Sequence, residues 1–98
     1  MKLILAIVNN EDAARAIDAL MKSGFFATRL STTGGFLMMG NTTLLIGTDE
    51  ERVQMAIGIL RQHCTARTQP GSTVRRADPI TVGGATIFVL DVDHMEKF

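Results

Sequence analysis

Two short stretches of glycine and threonine are the parts of this chain best suited to bind a ligand. They are Thr32-Thr33-Gly34-Gly35-Phe36 and Gly40-Asn41-Thr42-Thr43. Glycines let a phosphate or a base approach the backbone closely, and successive N–H groups can form an anion-binding nest. Threonine hydroxyls and an asparagine amide can hydrogen-bond a base edge or a phosphate. The two stretches therefore indicate a nucleotide-like ligand, although a flexible hairpin connection alone would explain the same composition.

The segment 61–77 is basic, whereas the chain as a whole is electrically balanced. The segment carries Arg61, Arg67, Arg75 and Arg76 and no acidic residue, while the full chain has 10 basic and 10 acidic residues. Nothing in the overall charge points to a nucleic-acid polymer or a membrane surface. A basic loop beside a glycine-rich hairpin suits a phosphate-bearing ligand. A solvated surface loop would have the same composition, so both interpretations stay open.

Metal binding and catalysis find little support in the residue pattern. His63 and Cys64 are adjacent, so on a helix their side chains point away from one another. We see no nucleophile motif and no acid–base pair, and we expect no catalytic residue, no metal and no cofactor. The single cysteine excludes an intrachain disulfide and suits a reducing cytoplasm.

The first half of the chain predicts a strand, a helix and a second strand. Leu3 to Val8 is an apolar, β-favouring run that is too short to span a membrane, so we predict a buried central strand and no membrane insertion. Asn9 or Asn10 can cap the helix that follows, and Gly24 can end it. Phe25 to Thr32 then reads as the second strand.

The second half predicts the same types of element in the order strand, helix, strand. Phe36 to Met39 and Thr42 to Ile46 read as strand, interrupted at Gly40-Asn41. Thr48-Asp49-Glu50-Glu51 fits a capping box, which makes Thr48 the predicted N-cap of the second helix. The apolar stripe of that helix is formed by Val53, Ala56, Ile57, Leu60 and Cys64.

A long loop and a final strand complete the predicted fold. Thr65 to Pro79 is polar and contains Pro70 and Gly71, so we predict a loop, followed by a strand from Thr81 to Val92. The order of elements predicts an α+β class and a ferredoxin-like βαββαβ two-layer sandwich that forms one domain over residues 1–98. Two helices cover one face of such a sheet, and a closed symmetric oligomer can cover the other.

Four segments closely resemble the cyclic-di-AMP receptor branch of the PII-like signalling protein family: Met1–Val8, Ala27–Leu37, Gly40–Gly47 and Val82–Leu90. The resemblance implies a PII-like homotrimer that holds cyclic di-AMP in each cleft between subunits. It also implies a cytoplasmic bacterial sensor without catalytic activity. Its glycine-rich hairpin loop, about 32–41, and its long basic loop, about 65–79, would relay the bound state to an effector protein.

The same resemblance implies which residues contact the ligand. Thr28 and Asn41 would hydrogen-bond the adenine or the phosphate, and Phe36, Leu37 and Phe88 would form an apolar wall. With Gly35 included for the room that a glycine leaves, the ligand positions are Ala27, Thr28, Gly35, Phe36, Leu37, Asn41, Gly47 and Phe88. Possible phosphate contacts are Arg75, Arg76 and Lys97.

The chain differs from similar proteins at three positions within or near this set. It carries Phe26 where similar proteins usually have arginine, and Gly24 and Lys97 where they have a polar residue and a glutamine. The alternatives are a PII-like trimer for another adenine nucleotide, a ligand-free protein-interaction trimer, and a metal-handling trimer. The sparse His and Cys content argues against the last.

Overall fold

The fold consists of a four-stranded sheet with two helices, and a separate two-stranded ribbon. This computed structural model describes residues 1–30, 40–64, 67–69, 80–82 and 84–98, the two three-residue stretches by their backbone alone. The elements are β1 (Lys2–Asn9), α1 (Asn10–Lys22), β2 (Phe26–Leu30), β3 (Asn41–Thr48), α2 (Val53–His63), β4 (Arg67–Gln69), β5 (Ile80–Val82) and β6 (Ala85–Asp91).

The main sheet has the strand order β2-β3-β1-β6, and each neighbouring pair is antiparallel. The protein is therefore α+β, with a topology compatible with the predicted ferredoxin-like fold. The ribbon pairs β4 with β5. Among the described residues, no helix is long and apolar enough to cross a membrane.

The hydrophobic core lies between the sheet and the helices. Ile4 of β1 pairs with Ile46 of β3, and both side chains are fully buried. Because side chains alternate along a strand, the same face carries every second residue of each strand. The buried cluster joins these sheet residues to the apolar sides of the helices, with Ala13, Ala16 and Leu20 from α1 and Val53, Ala56 and Leu60 from α2.

Helix α1 begins and ends as the sequence predicts. The Asn9 side chain accepts a hydrogen bond from the backbone N–H of Glu11 at 2.8 Å, which caps the first turn. Gly24 follows the last turn with φ +90°, a left-handed backbone conformation that residues other than glycine rarely adopt. The chain then enters β2 directly, so this glycine sets where Phe26 and Thr28 lie.

The start of helix α2 differs from the prediction. Thr48 is the last residue of β3 and pairs with Lys2 of β1, so it is held in the sheet and does not act as the N-cap. A 3-10 turn, Glu50–Arg52, follows Asp49, which makes no side-chain capping bond. The predicted capping box is therefore wrong, because sheet pairing extends further than the apolar pattern indicates. The predicted apolar stripe from Val53 to Cys64 is confirmed as buried or half-buried.

Two strand boundaries also differ. The predicted loop 65–79 contains β4, which pairs with β5. The predicted strand from Thr81 to Val92 corresponds to two strands, because β5 ends at Val82 and β6 begins at Ala85. The predicted strand at 36–39, almost all of the glycine-rich hairpin 32–41 and most of 65–79 lie outside the described residues.

Candidate functional site

The sheet face opposite α1 and α2, here called the far face, presents several large apolar side chains to solvent. Phe26 is 80% exposed, Phe88 49% and Leu90 46%. The cross-strand register places these residues on one face with Leu3 and Leu5 of β1. Exposed apolar side chains that share a face typically mark a binding or association surface. The far face is therefore the candidate binding surface.

The register arranges the far face in rows that run across the four strands. One row contains Phe26, Gly47, Leu3 and Leu90. The next contains Thr28, Leu45, Leu5 and Phe88. Three predicted ligand positions, Thr28, Gly47 and Phe88, thus lie in adjacent rows. Three inter-strand spacings separate Phe88 on β6 from Thr28 on β2, which is about 14 Å at the usual distance between strands.

A pocket of about 460 Å³ lies at the β2 side of these rows. We call it the Phe26 pocket. It brings together two predicted ligand positions, Thr28 and Gly47, with the position where this chain carries Phe26. The described residues that line it are Met1, Lys2, Leu3, Phe26, Thr28, Leu45, Gly47, Val92 and Met95.

Glycine at position 47 keeps the floor of the Phe26 pocket open. A Cβ built on Gly47 meets no atom within 4 Å, so there is free space above this residue. Phe26 is its direct partner on β2, and Thr28 is two residues further along the same strand and on the same face. A flat ligand placed over Gly47 would therefore lie between an aromatic ring and a hydroxyl group.

The charged groups beside the pocket are paired. The Lys2 ammonium donates to the Asp91 carboxylate across β1 and β6 and lies 3.5 Å from Glu50. The hydrogen bond to Asp91 raises the pKa of Lys2, and the same bond, followed by the lysine charge, lowers the pKa of Asp91. The positive charge of Lys2 is thus paired with two carboxylates, and Lys2 is poorly suited to bind a phosphate.

Asn41 lies far from the Phe26 pocket within one chain. It is the first residue of β3, half-buried and paired with Asn9. Six residues of strand separate it from Gly47, about 20 Å at the usual rise per residue. Thr28 lies in the row of Leu45, about 14 Å along the strand from Asn41, so one chain presents these two predicted polar contacts at separate parts of the far face.

The remaining predicted positions divide into three groups. The Ala27 side chain points to the helix side and packs at the edge of the core, so a contact with a far-face ligand would come from its backbone. Lys97 lies in the exposed C-terminal segment. The positions outside the described residues are Gly35, Phe36, Leu37, Arg75 and Arg76.

Sequence reasoning missed most of the pocket lining. Leu3 and Leu45 could have been placed beside Thr28 by strand alternation, once the register was known. Met95 and Val92 follow the last strand and carry no local signal for a site. A second cavity of about 290 Å³ lies between α2 and β6 and includes none of the predicted positions. The described residues contain no group of three or more His, Cys, Asp or Glu side chains able to hold a metal.

Comparison with known proteins identifies a similar fold and a family. A crystal structure of a functionally unknown protein from Pediococcus pentosaceus superposes with a TM-score of 0.76 at 42% sequence identity. The match covers 99% of this chain and 96% of that one. The sequence family described as cyclic-di-AMP receptor matches residues 1–98. The resemblance seen in the sequence is thereby confirmed, and the chain belongs to the cyclic-di-AMP receptor family.

Proposed function

We propose that this chain is a PII-like signal-transduction protein that binds cyclic di-AMP in clefts between the subunits of a homotrimer. It would act in the cytoplasm and relay the bound state through its loops to an effector protein. Membership of the cyclic-di-AMP receptor family is the observation that carries the proposal, and it favours binding and signalling over catalysis. We expect no cofactor, no nucleic-acid polymer partner and no turnover of the ligand.

The composition of the far face supports association between subunits. Large apolar side chains such as Phe26 and Phe88 are costly to leave in water, at about 25 cal/mol per Å² of apolar surface. A closed ring of subunits would bury part of this face in every copy at once. The clefts between neighbouring subunits would then be lined by far-face residues from two chains.

The separation between Thr28 and Asn41 supports a site shared by two subunits. Thr28 pairs with Leu45 of β3, which lies four residues from Asn41, about 14 Å at the usual rise per residue, and this exceeds the length of one adenine. A neighbouring subunit can bring its own Asn41 to the Thr28 end of the first. In this arrangement each ligand is held by Thr28 of one subunit and Asn41 of the next.

A different adenine nucleotide is the second candidate ligand. It is kept because this chain carries Phe26 where similar proteins usually have arginine, so one expected phosphate contact of cyclic di-AMP is missing beside the Phe26 pocket. Such a ligand would still use the apolar wall of the pocket. A trimer without any small ligand is the remaining possibility.

Calorimetry and sedimentation test the proposal together. Purified protein is titrated with cyclic di-AMP, cyclic di-GMP, AMP and ATP, and its mass is followed by sedimentation at micromolar concentration. We expect a trimer that binds cyclic di-AMP more tightly than the other nucleotides and leaves it unhydrolysed. A stable monomer would refute the shared site. Tighter binding of AMP or ATP would favour the second candidate, and no heat with any nucleotide would favour a protein-interaction trimer.

A further inference from the structure

We propose that the Phe26 pocket holds an adenine base of the ligand, stacked on the Phe26 ring, and leaves the phosphates outside. The inference rests on the proposed function, since it assigns one part of that ligand to one part of the site. It makes Phe26, which belongs to none of the predicted contacts, a specificity-determining residue.

The Phe26 ring is accessible to a stacking partner. Its side chain is 80% exposed although it lies in a regular strand, so most of the ring surface is available to a partner. Within the described sheet, β2 has a neighbour on one side only, which leaves the ring at an accessible edge. Bases stack readily on exposed aromatic side chains, because every base has a π-face.

The other walls of the pocket are mainly apolar. Leu3, Leu45 and Val92 contribute aliphatic surface, and the thioether side chains of Met1 and Met95 can adjust to the shape of a flat ring. The volume of about 460 Å³ is in the range of small-molecule sites. A purine fits these properties better than a phosphodiester, which would lose hydration against apolar walls.

One polar group is positioned to orient the base. The Thr28 side chain is exposed and lines the same pocket as Phe26. Its hydroxyl can donate a hydrogen bond to a ring nitrogen or accept one from an exocyclic amine. The open space above Gly47 lets the base lie close to the backbone of β3.

The charges around the pocket do not favour a phosphate. Lys2 and the amino terminus of Met1 are positive, and both lie near the negative Asp91; Glu50 provides a second carboxylate. Strand alternation places Lys2 and Asp91 on the helix side with Ile4, and among the described residues that line the pocket Lys2 is the one charged side chain and is paired. An uncharged base is therefore the part of a nucleotide that this environment admits most easily.

The test compares Phe26 variants in cyclic di-AMP titrations at low and high salt. Phe26→Ala and Phe26→Leu should weaken binding about 5- to 150-fold, the usual effect of removing a stacked ring. Phe26→Tyr should bind like wild type. Met21→Ala, which removes an exposed apolar side chain from α1 on the other side of the molecule, is the matched control and should have no effect. The Phe26→Ala to wild-type ratio should be the same at both salt concentrations, because the lost contact is uncharged.

A second measurement uses adenosine, which carries no phosphate. We expect it to bind wild type weakly and to shift the amide signals of Thr28 and Gly47 and the methyl signals of Met1 and Met95, but not in Phe26→Ala. The inference is overturned if Phe26→Ala binds cyclic di-AMP like wild type, if its defect disappears at high salt, or if it binds poorly because the oligomer dissociates. If wild type does not bind cyclic di-AMP, the proposed function fails. The adenosine shifts then decide alone whether the pocket holds a base.

Discussion

The two faces of the sheet are built from the same strands and differ in what covers them. On the helix side, Ile4, Leu44 and Ile46 are fully buried. On the far face, Leu45 is half-buried between Leu5 and Thr28, and Phe26 is largely exposed. Neighbouring residues of one strand thus belong to different environments.

The difference separates stability from binding along the chain. Because side chains alternate, a change at one position can affect the core while a change at the next affects the far face. The far face carries apolar residues that the described part of the chain leaves partly uncovered, as a surface for subunits and ligand would. Three substitution experiments test this difference between the two faces.

Leu44 and Leu45 form the strongest test because they are adjacent leucines on opposite faces. Leu44→Ala should lower the free energy of unfolding by about 2–5 kcal/mol, because it leaves a cavity in the core. Leu45→Ala should cost clearly less in dilute protein, and its main effect should be weaker association. Denaturant unfolding at two protein concentrations and sedimentation measure both quantities. Equal losses of stability in the two variants would contradict the division between the faces.

Substitution of Arg52 tests how much a contact between the start of α2 and the segment after α1 contributes to stability. Its guanidinium donates a hydrogen bond to the Ser23 carbonyl at 2.7 Å and lies 4.1 Å from the centre of the Phe25 ring. Arg52→Ala should therefore lower the free energy of unfolding by about 1–2 kcal/mol.

Arg52→Lys is the matched control for that experiment. It keeps the charge but loses the planar group that stacks on Phe25, so its loss of stability should lie between those of wild type and Arg52→Ala. Neither variant should change the affinity for cyclic di-AMP, since Arg52 lies on the helix side. An effect on binding equal to that of a far-face variant would count against the comparison.

The Lys2–Asp91 pair should have the smallest effect, since it is at the surface. The pKa of Asp91 is lowered from its usual 3.8, so its contribution to stability is present above that pH and is lost on acidification. The pKa of Lys2 is raised above its usual 10.5, so the pair persists until strongly basic pH. In wild type this pair should add a small increase in the free energy of unfolding as the pH rises from acid values, and Asp91→Asn should remove that increase. Thermal unfolding from pH 3 to 7 checks this, and an unchanged profile would contradict it.

The sequence predicted the local features of the fold better than its pairing. The Asn9 cap, the Gly24 stop and the buried stripe from Val53 depend on neighbouring residues, and all are confirmed. The Thr48 capping box was wrong because pairing with Lys2, distant in the sequence, keeps this residue in β3. A local motif cannot reveal competition from a strand elsewhere in the chain.

The candidate site was predictable only in part for the same reason. Thr28 and Gly47 came from the family resemblance, and the structure brings them into one pocket. That Phe26 faces the same pocket depends on the register between β2 and β3, which single-sequence patterns leave undetermined. The approximate distance between Thr28 and Asn41 likewise became known only with the sheet.

If each ligand site combines Thr28 of one subunit with Asn41 of its neighbour, oligomers mixed from two variants should restore binding. Thr28→Ala and Asn41→Ala should each weaken cyclic di-AMP binding, the latter by about 1–3 kcal/mol, because a polar partner is lost. The two variants are then unfolded together, refolded as a mixture and titrated with cyclic di-AMP.

In a ring of subunits, random mixing of equal amounts produces about a quarter of sites with both Thr28 and Asn41 intact. We therefore predict that the mixture regains a fraction of tight binding sites that neither variant has alone. Refolding each variant by itself is the control. A mixed oligomer that shows no tight sites would contradict the shared site and would place both contacts within one chain.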